Sequence, residues 1–290
     1  MLAVVGTVPQ PDYPLVAGRV RAAGDQVLLE GHGVPVNRGT PALLAAALKV
    51  SEVLGRPPVW GYLVGDIGRG DGSRRLYDYL TRHLAGADFH TIVFHYLQPD
   101  VDWHQRVLFA VAEMARRPIL IADAGFMYAA KMSGQAPEYD LFTPDVGELA
   151  FLADETAPHP FYTRGFMLHE ENQVPDLVAR AYAHDNAARA LLVKGRRDYL
   201  AGPGGVVATI EQPSQEAMEA IGGTGDTLTG IVAALIAAGF EINAAAILAA
   251  RINRVAGHLA QPSPATQVSE IIRRIPRAME MVLEENHART

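Results

Sequence analysis

The segment Ile221-Gly222-Gly223-Thr224-Gly225-Asp226-Thr227-Leu228-Thr229-Gly230 is the sharpest motif in this 290-residue chain. Glycines at 222, 223 and 225 let a backbone fold closely around a ligand, and a helix beginning near Gly225 aims its N-terminal N–H groups at the same spot. Such a place stabilises a phosphate or a developing oxyanion. Asp226 in that position serves as a general base on a hydroxyl or as partner to a metal. The same spacing also describes a glycine-rich turn with an acid in the first helical turn, and spacing alone does not separate the two.

Other residues of the right types stand apart in sequence. Asp123 follows the apolar run Ile119–Ala122, at what would be the C-terminal end of a strand, where open α/β sheets bind ligands. Asp145 and Glu148 have the spacing of a capping box. Lys194, before Gly195, ends the run LLVK and suits a phosphate as a point charge. Asn37 and Arg38 precede Thr40-Pro41, a helix-start signature with Thr40 as N-cap, so they can address a substrate phosphate there; pairing of Arg38 with surface acids is the alternative. The run Gly65–Ser73 reads as a mobile loop at the mouth of a crevice, with Asp66 touching substrate and Ser73 capping the next helix, or as a plain turn.

The elements that must position these residues alternate between short apolar runs and longer helical patterns. Strand signals fall at 26–30, 59–64, 91–96, 118–122 and 191–194, the last ending the helical stretch 175–190, and a hairpin pairs 198–200 with 206–210. Helical patterns cover 41–54, 73–84, 103–116, 226–238, 243–260 and 268–285. Repeated strand–helix units predict a mostly parallel sheet covered by helices on both faces, in a single domain spanning 1–290. The least regular segment, 154–171, reads as a lid or a subunit contact.

Composition removes whole classes of answer. A formal charge of −7 argues against nucleic acid as the main partner. The absence of cysteine excludes disulfides, thiolate-bound zinc, iron–sulfur clusters and thiol nucleophiles. No stretch reads as a signal peptide or a membrane span, which makes a cytoplasmic protein the expectation. The ten histidines lack metal-ligand spacing, and no Gly-x-Ser-x-Gly elbow marks a hydrolase.

GGTGDTLTGIVAALIAAG (222–239), followed by an alanine-rich helix and a terminal helix, resembles the ribokinase-like superfamily, nearest to its ATP/ADP-dependent NAD(P)H-hydrate dehydratases. Three further fragments match in order: Asp123-Ala124, Thr143-Pro144-Asp145-Val146-Gly147-Glu148 and Lys194-Gly195. The resemblance implies a three-layer α/β/α fold with these fragments at strand ends around one crevice. It implies an anion hole at Gly222, Gly223, Thr224 and Gly225, and Asp226 as catalytic base. It further implies Lys194 and Gly195 on the nucleotide, Asp123 beside the substrate, and Glu148 with Asp145 organising hydrated Mg2+. ATP or ADP and magnesium would be the cofactors, and hydrated NADH or NADPH the substrate, in a monomer or a homo-oligomer. Two departures stand out: Asp145 replaces the usual His or Asn, and His95-Tyr96-Leu97-Gln98-Pro99-Asp100 stands where the dehydratases have a Gly-Pro-Gly turn. The second opens an alternative, a kinase of a sugar or vitamin-precursor alcohol. A non-catalytic nucleotide-binding regulator is a third reading.

Overall fold

A computed structural model describes residues 1–157 and 173–287. Most of the irregular segment read as a lid or subunit contact, 158–171, lies outside them. The described residues form two compact units, one drawn from Met1–Leu2, Ala17–Gly61 and Ile210–Thr290, the other from Ala3–Val16 and Tyr62–Thr209.

The larger unit is built on a sheet whose strands are β1 (Leu2–Val8), β5 (Trp60–Gly65), β6 (Thr91–His95), β7 (Ile119–Asp123), β8 (Leu141–Phe142), β9 (Ala190–Val193), β10 (Asp198–Gly202) and β11 (Gly205–Ile210). Their order is β11-β10-β9-β8-β7-β6-β1-β5. The β6–β7, β7–β8 and β8–β9 pairs are parallel and β10 lies antiparallel on β9, while the two strands expected to form a hairpin, β10 and β11, are neighbours in the sheet. β1 and β6 are buried at every residue, the burial expected of strands covered on both faces. The parallel register sets His95 beside Asp123 at the C-terminal ends of β6 and β7. Helices α2 (Asp71–His83), α3 (Val101–Ala112), α4 (Gly125–Met132), α5 (Val146–Ala153) and α6 (Val174–Ala183) connect these strands.

The smaller unit carries an antiparallel meander, β2 (Val16–Ala23), β3 (Gln26–Leu29) and β4 (His32–Pro35), then α1 (Thr40–Val53) and the C-terminal helices α7 (Thr224–Ala237), α8 (Ile242–Ala260), α9 (Val268–Ile272) and α10 (Ile275–His287). The expected strand–helix unit at 26–54 is therefore a three-stranded meander followed by a helix. The expected helix 268–285 breaks at Arg273-Arg274 into α9 and α10. Helices α1 and α7 are buried along most of their length; α7 is made almost wholly of Ala, Leu, Ile, Val, Thr and Gly, and α1 is Ala- and Leu-rich up to Leu48, with Lys49, Ser51 and Glu52 confined to its last turns. Such helices must bury every face. A side chain at Gly230 would meet the Leu43 carbonyl oxygen at 2.2 Å, so the two helices touch backbone to backbone there.

The loop 65–73 is organised by its own aspartate. One Asp66 oxygen accepts the N–H groups of Gly68 (3.0 Å), Arg69 (3.0 Å) and Gly70 (3.1 Å), and the other accepts the Ser73 N–H and hydroxyl, each at 2.8 Å. The capping role assigned to Ser73 belongs instead to Asp66, and α2 begins two residues earlier, at Asp71 behind N-cap Gly70. Burial alone would raise the Asp66 pKa, but the donors from Ser73, Gly70 and Gly68 hold it below the ordinary carboxylate value. Its contribution to stability is thus complete above that ordinary value and fades as pH falls through the lowered one. Asp66→Ala is expected to cost about 1–2 kcal/mol, the scale of a lost helix cap. The deficit should shrink on acidification, as read by urea denaturation across pH.

Candidate active site

The glycine loop and the α1 start meet in the smaller unit. Gly39, the N-cap of α1, holds φ 68°, a conformation glycine adopts without strain, and its N–H donates to Asp226 Oδ2 at 2.6 Å. The N-cap expected at Thr40 is thus one residue earlier. Asp226 is buried, in the first turn of α7. One turn further along each helix, Gly230 meets Leu43, so α1 and α7 run in the same direction from adjoining N-termini. Gly223 is the N-cap of α7 with φ 101°, and a Cβ there would stand 3.1 Å from Arg38 Cα and 3.2 Å from the Val268 methyls. The structure brings Arg38 against Gly222 as well, at 3.8 Å from the position of its absent Cβ. Asn37 and Arg38 are both exposed.

Behind the loop, α8 supplies a support that sequence reasoning missed. Asn253 is 6 % exposed; its Nδ2 donates to the Thr224 carbonyl at 3.1 Å and its Oδ1 lies 2.7 Å from the Thr227 hydroxyl. A Cβ on Gly257, one turn on, would overlap Met218 Sδ at 2.0 Å, which fixes the short 3₁₀ turn Glu216–Ala220 leading into the loop. An asparagine within the alanine-rich pattern of α8 was the available signal.

In the larger unit, four of the expected residues come together. Lys194 Nζ donates to both Asp123 oxygens, at 2.9 and 2.8 Å, and Asp123 Oδ1 also accepts the Ala124 N–H at 2.8 Å. His95, fully buried, places Nε2 3.8 Å from Asp123 Oδ2. Ala124 takes φ 52°, a turn that lets α4 start at once behind the aspartate. Asp145 bridges Lys194 through the backbone, the Lys194 N–H reaching the Pro144 carbonyl at 2.7 Å.

Asp145 and Glu148 form the capping box read from their spacing: Glu148 N–H donates to Asp145 Oδ1 at 2.7 Å and Asp145 N–H to Glu148 Oε2 at 2.8 Å. Tyr128 on α4 donates its hydroxyl to Glu148 Oε1 at 3.1 Å, a partner nothing in the sequence marked. Burial and the adjoining Asp145 raise the Glu148 pKa, and Lys194 opposes them. Gly195, assigned to the nucleotide, donates its N–H to Asp198 Oδ1 at 3.2 Å. Asp66, assigned to substrate, engages both oxygens within its own loop.

The departure at 95–100 is firmly built. Tyr96 has φ 52° and is exposed, while its carbonyl accepts the Thr7 hydroxyl at 2.7 Å. The Leu97 carbonyl lies 2.3 Å from where a Gly125 Cβ would stand. Asp100 caps α3.

Residues 98–277 match the Carb_kinase family, described as NAD(P)H-hydrate dehydratase. That span holds Asp123, Asp145, Glu148, Lys194 and the glycine loop, and leaves out Asn37, Arg38 and Asp66. An uncharacterized protein of Methanocaldococcus jannaschii is 42 % identical over 243 residues, 83 % of this chain and 100 % of that protein. The bifunctional NAD(P)H-hydrate repair enzyme Nnr of Pyrobaculum aerophilum is 28 % identical over 59 % of this chain, which spans 32 % of that enzyme's length. Among solved structures, a ribokinase-like superfamily protein of Enterococcus faecalis superposes with TM-score 0.58 at 18 % identity, over 97 % of this chain and 87 % of that one. The ADP/ATP-dependent NAD(P)H-hydrate dehydratase of Bacillus subtilis, co-crystallised with ATP/Mg2+ and soaked with CoA, gives 0.56 at 15 % identity over 97 % of this chain and 91 % of that one. The fold is therefore the ribokinase-like α/β fold that the motif order implied, and the chain belongs to the carbohydrate-kinase-related family described as NAD(P)H-hydrate dehydratase.

Proposed function

We propose that the chain repairs hydrated NADH or NADPH, using ATP or ADP with magnesium to phosphorylate the ring hydroxyl and then eliminating phosphate. The observation that carries this is the buried Asp226 carboxylate, held by the Gly39 N–H at 2.6 Å in the first turn of α7 beside a glycine loop. That hold orients the carboxylate, which accepts the hydroxyl proton as the hydroxyl oxygen bonds to phosphorus and the nucleotide's terminal P–O bond breaks. The N–H groups of Thr224 and Gly225 precede the first intrahelical bond of α7, from Thr227 N–H to the Gly223 carbonyl, and are the donors to the charge that develops on phosphorus. Elimination then breaks the C–O bond, phosphate leaving with the electron pair while the adjacent ring carbon loses a proton.

The donor set in the larger unit fits a hydrated magnesium. Asp145 and Glu148 offer hard carboxylate oxygens, yet Asp145 Oδ1 and both Glu148 oxygens already accept hydrogen bonds. Contact through water suits such groups and suits magnesium, which dehydrates reluctantly. When bound, the ion neutralises charge on the nucleotide's phosphates. Lys194, oriented by Asp123, is assigned to those phosphates too. Glu148→Gln is expected to raise the magnesium concentration for half-maximal rate about tenfold, the usual effect of an outer-shell partner. A magnesium titration at saturating nucleotide reads it, and an unchanged titration counts against the assignment.

The firmly built segment 95–100 favours a second reading, a kinase that leaves its alcohol phosphorylated. Phosphorus NMR of the products separates the two. Free inorganic phosphate with restored dihydronicotinamide supports repair, and a persistent phosphate monoester supports the kinase.

A further inference from the structure

We infer that Asn253 is a positioning residue for the anion hole, acting through the carbonyl of Thr224; the inference rests on the reading of Gly222–Asp226 as the phosphoryl-transfer loop. A buried primary amide is costly in an apolar helix face unless its groups are bonded. At Asn253 both halves are used, and both are spent on the loop: Nδ2 on the Thr224 carbonyl at 3.1 Å, Oδ1 on the Thr227 hydroxyl at 2.7 Å. The Thr227 hydroxyl also lies 2.7 Å from that same carbonyl, so three groups close a small network around one peptide.

The identity of that peptide gives the network its consequence. A trans peptide is planar, with its C=O and N–H pointing in opposite directions. Anchoring the Thr224 carbonyl toward α8 therefore aims the Gly225 N–H away from α8. Gly225 has no side chain to fix its own conformation, and the preceding Gly222-Gly223 pair gives the loop more freedom still. Thr224 and Gly225 lie in the first turn of α7, the part of a helix that frays most readily, and this anchor holds their peptide in its helical direction. Asp226 follows directly, so the same anchor sets where its carboxylate begins. Asn253 touches neither substrate nor nucleotide in this account; it fixes the groups that do.

Asn253→Asp keeps the size, removes the donor to Thr224 and sets a second acceptor against the carbonyl. The expected result is a fall in kcat of about tenfold or more, part of the loss seen when an oxyanion donor is removed outright. KM for both substrates should stay near the parent's, and the Gly225 amide resonance should shift in the ligand-free protein. A residue that merely stabilises the fold would lower the melting temperature with kcat per folded molecule and the Gly225 amide unchanged, and that result overturns the inference. If Asn253→Asp fails to fold, Thr227→Val removes one leg of the network and should show the same pattern with a smaller fall. If the parent protein turns over neither hydrated NADPH nor an alcohol, the proposed function fails. The Gly225 amide, compared between parent and variant, then decides the positioning role by itself.

Discussion

Asp226→Asn is expected to lower turnover by at least about a hundredfold, the smallest usual contribution of a general base. Asparagine keeps the shape of the side chain, and its carbonyl oxygen can still accept the Gly39 N–H that now reaches Asp226 Oδ2 at 2.6 Å. The junction of α1 and α7 should then remain intact, so nucleotide affinity by calorimetry should match the parent's while kcat falls. Asp226→Ala removes base and junction together. It should lose activity at least as severely and some stability as well. A loss in Asp226→Ala alone, with Asp226→Asn fully active, would assign Asp226 to the helix junction and leave catalysis without its base.

The second large effect is structural. Gly230→Val must place a branched side chain where the Leu43 carbonyl oxygen lies 2.2 Å and the Ala46 methyl 3.2 Å from a Cβ. Neither neighbour is the flexible end of a side chain, so α1 and α7 have to separate. Overpacking of this kind costs about 3 kcal/mol or more. Because Gly39 and Asp226 sit one turn away on the same two helices, the separation should also cost activity. Gly86→Ala is the control: nothing lies within 4 Å of a Cβ there, and its stability should match the parent's in chemical denaturation. Equal stability of Gly230→Val and the parent would show that the helices do not depend on backbone contact at this point.

Legibility in the sequence followed how local each signal was. The glycine loop, the Asp145–Glu148 capping box and the Lys194 strand end could be read because a few adjacent residues encode each of them. The order of four weak fragments pointed to the ribokinase-like fold; three of them follow β7, β8 and β9 as expected, whereas the glycine loop opens α7 after the 3₁₀ turn Glu216–Ala220 and not at a strand end. What escaped reading depends on partners distant in sequence. The carbonyl of Leu43 explains Gly230, and the Thr224 carbonyl explains Asn253; no spacing rule links residues so far apart. Tyr128 lies in α4, a helix of eight residues too short to show a period. The meander β2–β4 was only partly visible, because Gly18 stands at one of the few buried positions of β2, the strand ends in exposed alanines, and β4 is four residues long with Gly33 inside it. Asp66 shows the opposite hazard: an acid among glycines invites a ligand role, yet five donors of its own loop consume it.

Transfer of a phosphoryl group onto a hydrated reduced nicotinamide, with Asp226 as base, is the activity proposed for this chain. Its most direct test follows the dihydronicotinamide absorbance when the purified protein meets hydrated NADPH, magnesium and ATP or ADP, alongside the Asp226→Asn variant. The expected result is full return of the absorbance with one nucleotide consumed per molecule restored, at a rate at least about a hundredfold slower in the variant. No return of absorbance with the parent protein, or equal rates for parent and variant, would contradict it.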